Sequence, residues 1–288
     1  MPTSPLINST ELLHLQGTGA PLSIFDCTFD LSDHGKGRLQ YEEEHIPGAL
    51  FADMHLDLSA HDKEGVSGGR HPLPKPEDFA QWLRTKGVSN DSLVVVYDRN
   101  MQNFCVRLWW MLKWLGHSNV AVLDGGLKAW QENGGTTTSA IPRPATGNFS
   151  VRKGLLSLVD ADQVLSKLNA PDTLLIDARA PARYAGAFEP IDSVGGHIPG
   201  AVNRPFVSNF LDNGTFKSPN VLQAEFSQLM NTDTKVVIHY CGSGVSATPN
   251  ILAMELAGFG SPLLYAGSWS DWSNRADTPK EKSAHDYC

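Results

Sequence analysis

The residue best placed to do chemistry is Cys241, in the stretch VVIHYCGSGVSAT spanning Val236–Thr248. A run of apolar, largely β-branched residues reads as a strand over Lys235–Tyr240, Cys241–Ser246 as a loop, and a helix is expected from about Ala247. Gly242 and Gly244 let the backbone curl with its N–H groups turned inward, which makes a concavity for an anion. The following helix adds the positive end of its dipole. Both effects favour thiolate over thiol, and the thiolate is the nucleophile. The same cradle would hold a persulfide or the oxyanion of a substrate. Gly242, Gly244, Val245 and Ser246 are therefore candidate binding residues, and the Ser243 and Ser246 hydroxyls add donors. Two other readings compete. A lone cysteine is more often a buried structural residue, but two glycines, two serines and a strand-to-helix junction coincide here. A cysteine-dependent phosphatase needs an arginine closing the loop to grip phosphoryl oxygens, and Val245–Asn250 contains none.

Strands and helices that present such a loop alternate along the chain. LVVVYD, VAVLD, TLLIDA, KVVIHY and PLLYAG have strand length, and helical stretches such as PEDFAQWLRTKG, VRLWWMLKWLG and TPNILAMELAG lie between them. This pattern predicts an α/β fold with parallel sheets covered by helices on both faces, and ligands at the carboxyl ends of the strands. The chain also repeats itself. YEEEHIPGALFADM pairs with SVGGHIPGAVNRPF, IFDCTFD with LIDARAP, and GHSNVAVLDGGLKAW with GFGSPLLYAGSWSDW. Gly116/Gly258, Gly125/Gly267 and Trp130/Trp272 share one offset: 258−116, 267−125 and 272−130 all give 142. A period this long means two copies of one domain, expected over 1–138 and 155–288 with a Thr/Pro/Gly-rich linker over 139–154. The offset sets Arg99 opposite Cys241, with Asp98 beside it, so the first copy has no nucleophile.

Composition narrows the function classes. The 288 residues carry a formal charge of −8, which argues against general affinity for nucleic acid or an anionic membrane surface. No apolar run reaches bilayer length, and the first residues lack the pattern of a signal peptide. The four cysteines (Cys27, Cys105, Cys241, Cys288) have no metal-ligand or disulfide-framework spacing, so free thiols in a reducing cytoplasm are expected and no metal or cofactor.

CGSGVSA resembles the active-site loop of the mercaptopyruvate sulfurtransferases, within the tandem-domain rhodanese family. The likeness extends to both HIPGA motifs, to GGRHPLP (Gly68–Pro74), LDGGLKAW and GSWSDW, from about residue 20 to 275. It implies two rhodanese-like domains, the second catalytic, with the active site between them. It also implies sulfur transfer from 3-mercaptopyruvate through a Cys241 persulfide to a thiol acceptor, thioredoxin among the possibilities, or to cyanide. Thiosulfate-preferring relatives usually carry charged residues in this loop, and here it is neutral. Thiosulfate sulfurtransfer stands as the alternative, and a non-catalytic persulfide carrier or redox sensor as a third reading.

The resemblance assigns supporting roles. Arg183 matches an arginine that holds the donor carboxylate. Where relatives have a second one, this chain has Ile191, so Arg70 or Arg179 is the substitute, although Arg179 equally suits a structural salt bridge behind DAR. Ser243, with His71 and an aspartate, would protonate the departing enolate. Asp57 is the chosen aspartate with Asp62 behind it, and His71 reads equally well as a packing residue. His45 and His197 open HIPG in both copies and point to a fold role. Trp109, Trp110, Trp114, Trp269 and Trp272 are read as core, and Cys27 and Cys105 as structural; Cys288 is oxidisable but has no assigned task.

Overall fold

The architecture, taken from a computed structural model, is described for residues 4–60 and 64–283. Asp62 and Cys288 lie outside the described residues. By internal contacts the chain divides into two units. The first contains the chain up to Glu64, Pro74–Leu156 and Phe210–Phe216; the second contains Gly65–Leu73, Ser157–Asn209 and the chain from Lys217 onward. The segment carrying Arg70 and His71 thus belongs to the second unit.

The first unit runs β1 (Leu6–Ile7), α1 (Ser9–Gln16), β2 (Leu22–Asp26), α2 (Lys36–Glu43), β3 (Ala49–Phe51), α3 (Pro76–Thr85), β4 (Leu93–Tyr97), α4 (Cys105–Trp114), β5 (Val120–Leu123) and α5 (Gly126–Glu132). The second runs β6 (Leu158–Val159), α6 (Ala161–Leu165), β7 (Thr173–Asp177), α7 (Pro181–Ala185), β8 (Val202–Asn203), α8 (Pro219–Ser227), β9 (Val236–Tyr240), α9 (Thr248–Leu256), β10 (Leu263–Tyr265) and α10 (Ser268–Trp272). The sheets have the same order, β1-β5-β4-β2-β3 and β6-β10-β9-β7-β8, with every pairing parallel. No described helix is long and apolar enough to cross a membrane.

The local reasons recur in both units. Asn8 caps α1 and Asp160 caps α6, each accepting the N–H three residues on while the Glu11 or Gln163 side chain returns the bond. Near-continuous apolar β4 and β9 take the central position of each sheet, where both faces are covered. Beside them, Tyr97 Oη accepts from Ile46 N–H and Tyr240 Oη from Ile198 N–H, both at 3.1 Å. These bonds tie the HIPG turns to the strand ends. The HIPG histidines are held identically: His45 Nδ1 meets Tyr41 O at 2.7 Å and His197 Nδ1 meets Tyr184 O at 2.9 Å, each ring stacked on that tyrosine. Trp109, Trp110, Trp130, Trp269 and Trp272 are fully buried. Trp114, at the last turn of α4, is only partly buried and stacks on Trp110. Trp269 donates to Val194 O at 2.8 Å with the Arg179 guanidinium over its ring, so it packs as expected. Cys27 and Cys105 are buried free thiols, and burial, first of all, pushes both pKa values up.

Candidate active site

Cys241 directly follows β9 and is 2% exposed. Its N–H donates to Ser268 Oγ at 3.1 Å, and its carbonyl accepts from Trp269 N–H at 3.0 Å. Ser268 holds a φ of +55° and its hydroxyl donates to Tyr265 O at 2.8 Å. Gly242 O accepts from Ser270 N–H at 2.9 Å. The loop is thus pinned from α10 on its carbonyl side. Gly244 has φ +74°, and an added Cβ would strike the Ala266 carbonyl oxygen, so glycine is required twice over. Helix α9 starts at Thr248, one residue after the expected position, with Ala247 as its N-cap. The N–H groups of Ser243, Val245, Ser246 and Ala247 find no oxygen or nitrogen acceptor among the described residues. Backbone donors left in this way at a strand-to-helix junction suit an anion.

Two guanidiniums stand over the loop. A Cβ on Gly242 would meet Arg70 Nη2 at 3.3 Å and Arg183 Nη1 at 3.4 Å. Those two nitrogens donate to nothing among the described residues, and Arg70 Nε is buried without a partner among them. The remaining donors are engaged by two acids. Asp192 bridges the arginines, Oδ1 accepting from Arg70 Nη1 at 2.7 Å and Oδ2 from Arg183 Nη2 at 3.1 Å. Glu189 accepts from Arg183 Nε and Nη2, the closest at 2.7 Å. Burial pushes the Glu189 carboxyl up, but hydrogen bonds from Arg183 and from the N–H groups of Asp192 and Ile191 outweigh it and hold it below its ordinary value. Arg179 lies behind this clamp, its Nη1 3.4 Å from Glu189 Oε2. Its Nη2 donates to Asp177 Oδ2 and to Gly196 O, both at 2.6 Å, so it is the structural salt bridge and not the second clamp arginine. Ile191 is 44% exposed and offers no charge in place of an arginine.

Ser243 and His71 come together, Oγ to Nδ1 at 2.8 Å, and both are buried. Asp57 belongs to the first unit, where its Oδ2 accepts Asp53 N–H at 2.9 Å and burial pushes its carboxyl up. A thiol at the head of a loop with uncommitted amides, two guanidiniums against Gly242 and a hydroxyl–imidazole pair at Ser243 can act as a nucleophile toward an anionic substrate and return a proton to its leaving group.

The first copy corrects one expectation. Arg99 is not the counterpart of Cys241; Asp98 is. Tyr97 and Tyr240 make the same bond at offset 143 (240−97), and Leu127 N–H bonds Asp98 O as Trp269 N–H bonds Cys241 O. Helix α4 has ten residues and α9 nine, so the offset falls to 142 only beyond them. In this loop Asp98 Oδ1 accepts from Asn100 and Gln102 N–H (2.7 and 2.9 Å), and Oδ2 from Phe104 and Cys105 N–H (both 2.8 Å). Arg99 leaves the loop to pair with Glu44 at 3.1 Å.

Sequence missed Ser268, Glu189 and Asp192. The repeat signalled the first, because offset 142 sets Ser268 on Gly126 (φ +59°), a glycine-demanding position. The acids had no signal, since carboxylates in a Gly/Pro-rich loop are ordinarily solvated.

The chain is similar to known proteins over most of its length. The rhodanese-like domain family matches residues 8–133 and 160–275. A probable 3-mercaptopyruvate sulfurtransferase of Pseudomonas aeruginosa is 44% identical over 92% of this chain and 96% of its own. Bos taurus thiosulfate sulfurtransferase is 36% identical over 90% of this chain and 87% of its own. The crystal structure of SseA from Escherichia coli, described as a 3-mercaptopyruvate sulfotransferase, superposes with a TM-score of 0.81 at 30% identity, covering 93% of this chain and all of SseA. With both repeats matched and relatives of this kind spanning nearly its full length, the chain belongs to the rhodanese-like family and is a sulfurtransferase.

Proposed function

We propose that the protein transfers sulfur from 3-mercaptopyruvate to a thiol through a Cys241 persulfide. The observation behind this reading is the pair of uncommitted guanidinium nitrogens, Arg70 Nη2 and Arg183 Nη1, over Gly242. Two N–H donors side by side suit a carboxylate, and mercaptopyruvate has one where thiosulfate does not. In the first half-reaction the Cys241 thiolate attacks the donor sulfur and the donor C–S bond breaks. The electron pair leaves as the enolate of pyruvate, which takes a proton delivered through the Ser243–His71 pair. The sulfane sulfur stays on Cys241 as a persulfide, its charge held by the uncommitted loop amides of Ser243, Val245, Ser246 and Ala247. In the second half-reaction an acceptor thiolate attacks the outer sulfur and leaves as the acceptor persulfide, regenerating the Cys241 thiolate. Small thiols, cyanide and a thioredoxin-type dithiol are all competent acceptors. The free buried thiols support a reducing compartment, the cytoplasm.

Steady-state assays with mercaptopyruvate and with thiosulfate test the reading. Arg183→Ala is expected to raise KM for mercaptopyruvate by about 10- to 100-fold. Arg70→Ala should follow the same pattern. A wild-type protein that favours thiosulfate, or an Arg183→Ala variant that loses both donors equally, would overturn the assignment of the donor. Asp57→Asn in the same assays tests the expected role of that carboxylate in kcat.

A further inference from the structure

Asp192 has no place in the transfer chemistry, yet it touches both arginines of the clamp. Its side chain is 4% exposed. One oxygen goes to each guanidinium, so it fixes their separation while their unused nitrogens face Gly242. It also sets their charge. Arg70, Arg183 and Arg179 bring three positive charges, and Asp192, Glu189 and Asp177 bring three negative ones, so the linked cluster is neutral overall. The Arg70–Asp192 pair also lines an open cavity of about 580 Å³, with Ile191, Ser193, Asp271 and Arg275 on its wall. Any anion entering from that cavity meets the resident carboxylate as well as the cations.

We propose that Asp192 is the positioning residue that sets the donor preference of this enzyme. By bridging the arginines it presents two donors at the spacing of one planar carboxylate. By cancelling one of their charges it penalises a donor with two negative charges, such as thiosulfate, more than a donor with one. The inference rests on the mercaptopyruvate reading and deepens it.

The test is the ratio of kcat/KM for thiosulfate to kcat/KM for mercaptopyruvate, measured on wild type, Asp192→Asn and Asp192→Glu. Removing the charge favours the dianion, and loosening the bridge harms the carboxylate, so both effects move the ratio the same way. Asp192→Asn is expected to shift it toward thiosulfate by about tenfold, mostly through KM. Asp192→Glu, which keeps the charge, should shift it less. Competitive inhibition of the same proteins by sulfate and by pyruvate gives a second readout that survives a loss of turnover: sulfate should gain on pyruvate in Asp192→Asn. An unchanged ratio, or one moving toward mercaptopyruvate, would overturn the proposal. A wild-type enzyme with no mercaptopyruvate activity would instead overturn the donor reading, and the two failures are told apart by the wild-type assay alone.

Discussion

The loops at the ends of β4 and β9 run alike as far as Met101 and Gly244, part at Gln102, which has φ +57° where Val245 has no left-handed φ, and differ in what they surround. Asp98 and Cys241 stand at equivalent positions, Met101 and Gly244 share a left-handed φ (+56° and +74°), and both loops lead into a helix seven residues on. In the first loop four amide N–H groups close on the Asp98 carboxylate. In the second, the comparable amides of Ser243, Val245 and Ala247 have no oxygen to bind among the described residues, while the fourth, Thr248 N–H, donates to Val245 O at 3.0 Å. The first loop is therefore an internal demonstration of what the second is shaped for: the fold gathers N–H groups around one negative charge. Burial pushes the Asp98 carboxyl up, against the hydrogen bonds from Cys105, Asn100 and Phe104. What differs is the source of the anion. The first copy supplies its own; in the proposed reaction the second takes its anion from the sulfur on Cys241.

The comparison breaks most plainly at Cys241. Cys241→Ser should abolish transfer from either donor in steady-state assays, and residual turnover on the buried thiols of the first copy would refute the division of labour. Next comes Asp98→Ala, which strands several buried N–H groups at about 1–3 kcal/mol each. Urea denaturation should show a loss of roughly 3 kcal/mol or more, while the folded fraction keeps its activity. Gly244→Ala and Met101→Gly form a third, opposed pair. The first meets the Ala266 carbonyl and should cost about 2–4 kcal/mol with loss of activity. The second relieves a side chain that is 45% exposed and should stay within about 1 kcal/mol of wild type by the same denaturation assay.

The smallest effect concerns pH. His239 in β9 corresponds to Val96 in β4 and is fully buried, its Nδ1 without a partner among the described residues and its Nε2 3.1 Å from Met254 Sδ. Burial, with Arg204 nearby, pushes its pKa down from 6.5 to about 3. A histidine whose folded pKa is depressed contributes stability above its unfolded value, and that stability drains as pH falls from about 6.5 toward 3. Glu189, also held low, adds a loss in the same direction below its usual 4.5. The first unit has losses of the same sign at His117, pushed down by burial, and at Glu44, held down by its hydrogen bond to Arg99. His239→Val should flatten Tm against pH between about pH 6 and 4, and an unchanged slope would place the acid sensitivity elsewhere.

Much of this was legible in the chain. Apolar runs such as LVVVY and VVIHY read as strands buried on both faces, and the Gly–Ser stretch after Cys241 declared its backbone. The counterpart of Cys241 was misplaced by one because the extra residue of α4 is silent in a repeat counted from flanking glycines and tryptophans. The acids of the clamp escaped for a different reason, although Arg183 and Arg70 were both named as candidates. Arg70 and Asp192 are 122 residues apart, and no local pattern ties a surface-type acid to a distant arginine.

The carboxylate inside the first loop has a consequence for how such proteins diverge. A set of amides belongs to the main chain, so it outlasts the loss of the thiol it faces as long as the backbone keeps its course. A duplicate that gives up its thiol must put another negative group in the empty seat or lose stability. An aspartate directly after the strand's terminal tyrosine is thus the signature by which a silent copy can be told from a working one.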